Sequence, residues 1–264
     1  MLTGIFKSQL AVGITQAAIA AVFALAIALL ARARGIRLVN DSVIALARGI
    51  VQIVAVGFVL AVLLRGPRWS SPFVLGAMIL AAGWTASQRA RRVPGSFRIS
   101  LYAIGLGAGS TIALMAALGV IELSVSALIP VGSMIVANAM NANALALERF
   151  RSDVEAHVGE VETALSLGAA PGVTVSSYVQ SALTASLIPS INNLRSLGIV
   201  WIPGLMAGMV LSGTNPLYAS IYQFSVIAMI LASSGLTCVI GTYLMSERVF
   251  TGAEQLILRP ESGA

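Results

Sequence analysis

The sequence predicts an all-α polytopic membrane protein of about seven transmembrane helices, with a cytoplasmic helix between the fifth and sixth. Three observations carry this. The chain is 58% hydrophobic and 10% charged, whereas soluble domains carry roughly 25% charged residues. Apolar runs of about 20 residues recur along its length, each long enough at about 1.5 Å per residue to cross a hydrocarbon core of about 30 Å. A single polar island, Glu148 to Gly172, interrupts them and holds five of the ten acidic residues and the one histidine, His157.

The expected spans are Leu10–Ala31, Ser42–Leu64, Pro72–Ser87, Ile99–Gly119, Ser124–Leu147, Leu197–Leu211 and Leu217–Met245. The first is too long for the core of a signal peptide. The last exceeds what a bilayer needs, which points to tilt or a helical extension. The chain reads as one transmembrane domain, 1–264, with 148–172 projecting from it. Val173–Pro189 is apolar at Val175, Val179, Leu183 and Leu187 but rich in Ser and Thr, and reads as a surface or gating helix.

Arginine sets the orientation. Arg32, Arg34 and Arg37 follow the first span. Arg89, Arg91, Arg92 and Arg98 follow the third, and Arg149 and Arg151 follow the fifth. With seven alternating spans all lie on one side, opposite Lys7, Arg65 and Arg68. The N-terminus is expected outside, the C-terminus and the island in the cytoplasm. An eighth span at 173–189 would strand Arg248 and Arg259 on the wrong side. The net charge of +6 therefore reflects membrane orientation, with no nucleic-acid footprint.

Residue counts exclude most chemistry. The one lysine, Lys7, follows no glycine-rich loop, so the chain lacks the phosphate-binding Gly-x-x-x-x-Gly-Lys-[Ser/Thr] pattern. One histidine cannot supply a two-histidine zinc site. The single cysteine, Cys238, forms no internal disulfide. No catalytic residue and no metal cluster is expected.

In the island, Ser152 and Glu155 have capping-box spacing, which predicts a helix starting there. Glu155 and Glu162 would share one face. Val161, Ala164, Leu165 and Gly168 would share another, and Pro171 would end the helical bonding.

Several residues are candidates for a transport path. Pro130 and Pro203 each remove a backbone donor and tend to kink a helix, and broken helices at membrane depth line cavities or pack on protein. Asn138 and Asn141 share a face of the fifth span, and interhelical hydrogen bonding is their other reading. Met134 and Met206, like Met140 and Met209, offer thioethers or core packing. Arg48 and Gln52 lie one turn apart on the second span. Arg48 lines a wet path or snorkels to headgroups. Gly105/Gly109 and Gly204/Gly208 have the spacing of close helix packing.

Two resemblances follow from these motifs. Glu162-Thr163-Ala164-x-x-x-Gly168 resembles the Glu-Ala-Ala-x-x-x-Gly loop of ABC-transporter permeases. In that family the loop's helix docks in a groove of the ATPase subunit. The later Ile-x-Leu-Pro of that motif is displaced, with Ile188-Pro189 lying further along. A closer resemblance is to the Fet-type iron-export permeases. It rests on Ile129-Pro130-Val131-Gly132-Ser133-Met134 through Met140, on Trp201-Ile202-Pro203-Gly204-Leu205-Met206-Ala207-Gly208, and on Arg48, Gln52 and Ser87-Gln88-Arg89. It runs from about residue 40 to 250, and the family includes plant half-transporters linked to aluminium tolerance.

The resemblance implies a permease subunit of an ATP-binding-cassette transporter that exports iron or a related solute from a prokaryotic cytoplasmic membrane. It implies a separate ATP-binding subunit carrying ATP and magnesium, no cofactor on this chain, and a homodimer of the chain. The implied ATPase contacts are Glu155, Glu162, Ala164, Leu165, Gly168 and Ala169. The alternative from a different class is a stand-alone ion-coupled secondary carrier. A membrane scaffold that recruits a cytosolic partner is a third.

Overall fold

The computed structural model describes residues 9–33, 39–63, 70–91, 93 and 95–259. Leu64, Lys7, Arg34, Arg37, Arg65, Arg68 and Arg92, used in the expectations above, lie outside the described residues. The chain divides into two compact units, Met1–Gly66 and Pro67–Ala264.

The first unit holds α1 (Gln9–Ala33) and α2 (Val39–Leu63), which pack on one another. Large apolar side chains such as Phe23, Ile44, Ile53 and Phe58 face outward. That arrangement fits lipid, where no water is available and the backbone must be satisfied within the helix. Arg48 and Gln52 are both exposed on α2.

The second unit is built around α6 (Val125–Ala156) and α11 (Pro216–Arg248), of 32 and 33 residues. At about 1.5 Å per residue each exceeds the bilayer core. Helix α3 (Ser70–Ser87) and the α4–α5 span (Ser96–Ile104 and Ser110–Ala117) pack on this pair, as does α9 (Ser176–Ser196). One turn of π-helix, Gly105–Gly109, joins α4 to α5. Among the described residues, six helices are long and apolar enough to cross a membrane. The protein is an all-α polytopic membrane protein.

Leu75, Ala82, Ile104, Leu128, Ile135, Val136, Val226 and Ile230 fill the middle of the bundle. A second cluster caps one end, with Val93, Leu147, Phe150, Val154, Val161, Val175, Met245, Leu256 and Leu258. This second core fastens the polar island to the bundle.

The close approach of α4–α5 to α11 needs Gly107. A β-carbon there would lie 2.8 Å from the Thr237 backbone. Gly105 and Gly109, the pair singled out by spacing, meet only Ile79 at ordinary distance, and Gly204 and Gly208 meet nothing within 4 Å. Gly107→Val is expected to destabilise the detergent-solubilised chain by at least the ~1–3 kcal/mol typical of an overpacked core. Gly204→Ala is expected to have little effect. Thermal unfolding of the two variants checks this.

The structure corrects three expectations. Leu197–Leu211 is not one helix: residues 198–203 form turns and a bridge, and only α10 (Gly204–Leu211), eight residues long, is helical. The 21-residue α9 instead lies along α6 and α11. Its Ser and Thr content masked it in hydropathy. On its face against α6 and α11 it can carry hydroxyls that bond back to its own turns, as the buried Ser186 does to the Leu183 carbonyl at 2.9 Å.

Second, no helix starts at Ser152. Helix α6 runs unbroken from Val125 to Ala156, because Phe150 and Val154 continue its buried face into the second core. Third, Pro203 precedes α10 as its capping residue rather than kinking a span. Pro130 lies inside α6 without ending it.

Candidate functional site

Helix α6 breaks at His157, where φ is −121° and ψ 30°. The His157 ring stacks on Tyr178 of α9, with centroids 5.3 Å apart. The chain then enters α7 (Val158–Ser166), whose Val158, Val161 and Leu165 face the second core. Gly168 ends the helix at φ +84°, a backbone region that side chains with a β-carbon rarely adopt. The Ala169 amide donates to the Ala164 carbonyl at 3.0 Å and the Gly168 amide to that of Leu165 at 2.9 Å. This is the glycine closure common at helix ends. Pro171 opens the short α8 (Pro171–Thr174).

The island's carboxylates turn toward the bundle. Glu148 pairs with Arg89 at 3.0 Å, Asp153 with Arg149 at 3.1 Å, and Glu162 with Arg259 at 2.8 Å. Glu155 lies 3.9 Å from Arg151, and Glu160 accepts from the Tyr178 hydroxyl at 3.1 Å. The segment after α11 runs back across α7: Leu256 and Leu258 pack beneath Val161 before Arg259 reaches Glu162. With its charges met locally, the tip presents apolar and small groups. Leu167 is 83% exposed and Val173 68%. Gly168 and Ala170 beside them are exposed, and Ala169 is half-buried.

A second arrangement runs along α6. Pro130, Met134, Asn138 and Asn141 recur at spacings of four, four and three, which places them on one stripe. Among the described residues, cavities open along this stripe. At the end remote from the island, Pro130 lines one of about 540 Å³ together with Glu122, Ser126, Met209, Thr214, Tyr218 and Tyr222. In the middle, Met134 and Asn138 line one of about 190 Å³ with Ser190, Asn193, Trp201, Ile227 and Ile230. Near the island, Asn141 lines one of about 230 Å³ with Thr85, Met140, Arg89 and Glu148. The Asn138 side-chain amide donates to the Met134 carbonyl at 2.8 Å, which leaves its oxygen free to accept. Among the described residues, no three His, Cys, Asp or Glu side chains come together.

The family model described as "Uncharacterised protein family (UPF0014)" matches residues 14–250. The chain belongs to the UPF0014 family. It is 36% identical to the "UPF0014 membrane protein STAR2" of Oryza sativa subsp. japonica, over 96% of this chain and 89% of that protein. It is 31% identical to the "Protein ALUMINUM SENSITIVE 3" of Arabidopsis thaliana, over 92% and 90%. It is 30% identical to the "Probable iron export permease protein FetB" of Escherichia coli, over 83% and 85%. No solved structure matches it significantly.

Within this UPF0014 chain, the residues marked by sequence divide into groups. Pro130, Met134, Asn138 and Asn141 fall on the one stripe. Met206 does not join them: its sulfur lies 3.8 Å from the Ser220 hydroxyl on α11. Pro203 is buried at the start of α10. Arg48 and Gln52 belong to the other unit. Gly168 and Ala169 stand at the tip, Ala164 is half-buried behind it, and Leu165 and Glu155 point inward. Sequence reasoning missed Leu167 and Arg259, and also Ser190, Asn193 and Trp201. Ser186, Ser190 and Asn193 repeat at helical spacing, a signal that was legible once 176–196 was read as a packed helix.

Proposed function

We propose that this chain is the membrane-spanning permease subunit of an ATP-binding-cassette transporter, exporting iron or a related metal with ATP hydrolysed by a separate subunit. The tip of α7 is the observation that carries this reading. An exposed leucine, a left-handed glycine and two alanines sit at the end of a helix fixed to the bundle by its own apolar core. Such a projection fits a groove on an aqueous protein, and the exposed apolar tip has no role in the fold. The name of the relative STAR2 supports a membrane protein, and the names of FetB and ALUMINUM SENSITIVE 3 support a link to metals. Magnesium and ATP belong to the partner subunit, and this chain binds neither.

In this reading the island faces the cytoplasm, α9 is the sixth crossing, and the N-terminus lies outside. The stripe on α6 is the translocation face. Asn138 and Asn141 place amides at membrane depth, where lipid contact is unfavourable, so a second copy of the chain covers the stripe and the solute passes between the two. ATP-driven closure of the partner subunits moves α7, and the core of Phe150, Val154 and Val161 transmits that motion to α6.

Reconstitution separates this from a carrier that works alone. Proteoliposomes holding the chain and its ATPase are expected to export metal with ATP and not with a non-hydrolysable analogue. The chain without the ATPase is expected to show no gradient-driven flux. Gradient-driven flux at a comparable rate would make it a secondary carrier.

A further inference from the structure

We infer that the cavity at the end of α6 remote from the island is a cation site, holding a divalent metal ion through its water shell, with Glu122 as the one charged anchor. This deepens the proposed export reading by giving the cargo its last station before release.

Glu122 sits in the loop between α5 and α6 and lines the cavity of about 540 Å³. Among the described residues no basic side chain pairs with it, unlike Glu148, Asp153, Glu155 and Glu162 of the island. Its side chain is exposed, and the Ser124 hydroxyl donates to it at 3.4 Å. Around the same space stand the hydroxyl-bearing side chains of Tyr218, Tyr222, Thr214 and Ser126. The two tyrosine rings lie nearly parallel, 6.4 Å apart and inclined by 17°, so they form one wall.

The chemistry selects the ligand. An unpaired carboxylate excludes an anion. The donors are oxygens apart from the Met209 thioether, and oxygen suits hard and borderline divalent ions better than cuprous copper. The cavity is many times the ~30 Å³ that one water occupies, and a single carboxylate cannot replace a full coordination shell. The ion therefore keeps its water, which hydroxyls and carboxylate hold in place. Such a site is weak and exchanges quickly, as an exit requires.

The test is Mn²⁺ binding to the purified full-length chain, read by the loss of the free-ion electron-paramagnetic-resonance signal, with no ATPase present. Saturable binding is expected. Glu122→Gln should weaken it at least tenfold, Glu122→Asp should retain most of it, and Tyr222→Phe should weaken it two- to threefold. Glu160→Gln, at the other end, should leave it unchanged. Absence of saturable binding, or Glu122→Gln binding as the unaltered chain does, would overturn the assignment. Either result would leave the coupling reading standing, because that reading is tested at Gly168.

Discussion

Gly168→Val is expected to lower ATP-dependent export more than tenfold while the variant still inserts, purifies and unfolds near the temperature of the unaltered chain. Gly168 is exposed, and a β-carbon there would meet nothing within 4 Å, so no packing is lost. The effect is conformational. At φ +84° a β-branched residue is strained by about 1–3 kcal/mol. The tip relieves that strain by unwinding, which removes the Gly168 and Ala169 amide bonds that close α7. Leu167, presented by that closure, is then displaced from any groove it fills. Valine also adds bulk where a partner surface would approach. Export in proteoliposomes, co-purification of the ATPase subunit and thermal unfolding measure the three consequences separately. Loss of the first two with the third intact is the expected pattern. A variant that exports normally would remove the tip from the mechanism.

Asn138→Trp is expected to give the complementary pattern, with export lost and ATPase binding kept. Asn138 is half-buried on the stripe and lines the middle cavity of about 190 Å³ with Trp201 and Ser190. An indole there occupies most of the open space between α6, α9 and α11. It also deletes the amide that donates to the Met134 carbonyl. That bond lies within one helix, so its loss costs about 1 kcal/mol, too little to unfold the bundle. The tip is untouched. ATPase activity of the assembled complex should persist without transport, a more than tenfold change in their ratio. Asn138→Ala, which enlarges the cavity, should transport at a rate closer to normal. Full export by the tryptophan variant would place the path elsewhere.

Much of this architecture was readable from hydropathy because lipid imposes a single requirement on exposed helices. The hairpin of α1 and α2 and the long α6 and α11 all face an apolar environment on at least one side. Helix α9 was hidden for the converse reason. One of its faces packs on other helices, and Ser186 and Ser190 are buried there, where lipid would exclude them. The Leu197–Leu211 run was misleading because Ile199, Val200 and Ile202 are apolar without being helical. Gly198, at φ +76°, and Pro203 instead hold a turn ahead of α10.

At the candidate site, the end of α7 was legible because glycine and proline punctuate it at 168 and 171. Its start was not. The Ser152–Glu155 spacing matches a capping box, but Phe150 and Val154 belong to a buried face that carries α6 onward. The destination of the acidic charge was also invisible. Glu162 and Arg259 are almost a hundred residues apart in sequence, and only the fold brings them to 2.8 Å. The island thus reads as acidic in sequence and presents an apolar tip in three dimensions.

Cysteine accessibility at position 167 decides whether the α7 tip is the place where an ATPase docks. Cys238 is the only native cysteine and is buried, so a Leu167→Cys variant gives one reactive thiol, on a side chain that projects into solvent. A membrane-impermeant maleimide is expected to label it in inside-out vesicles and not in intact cells, and bound ATPase subunit is expected to block the labelling. Labelling from the outside of intact cells, or labelling indifferent to the ATPase, would mean that no ATPase subunit docks on the α7 tip.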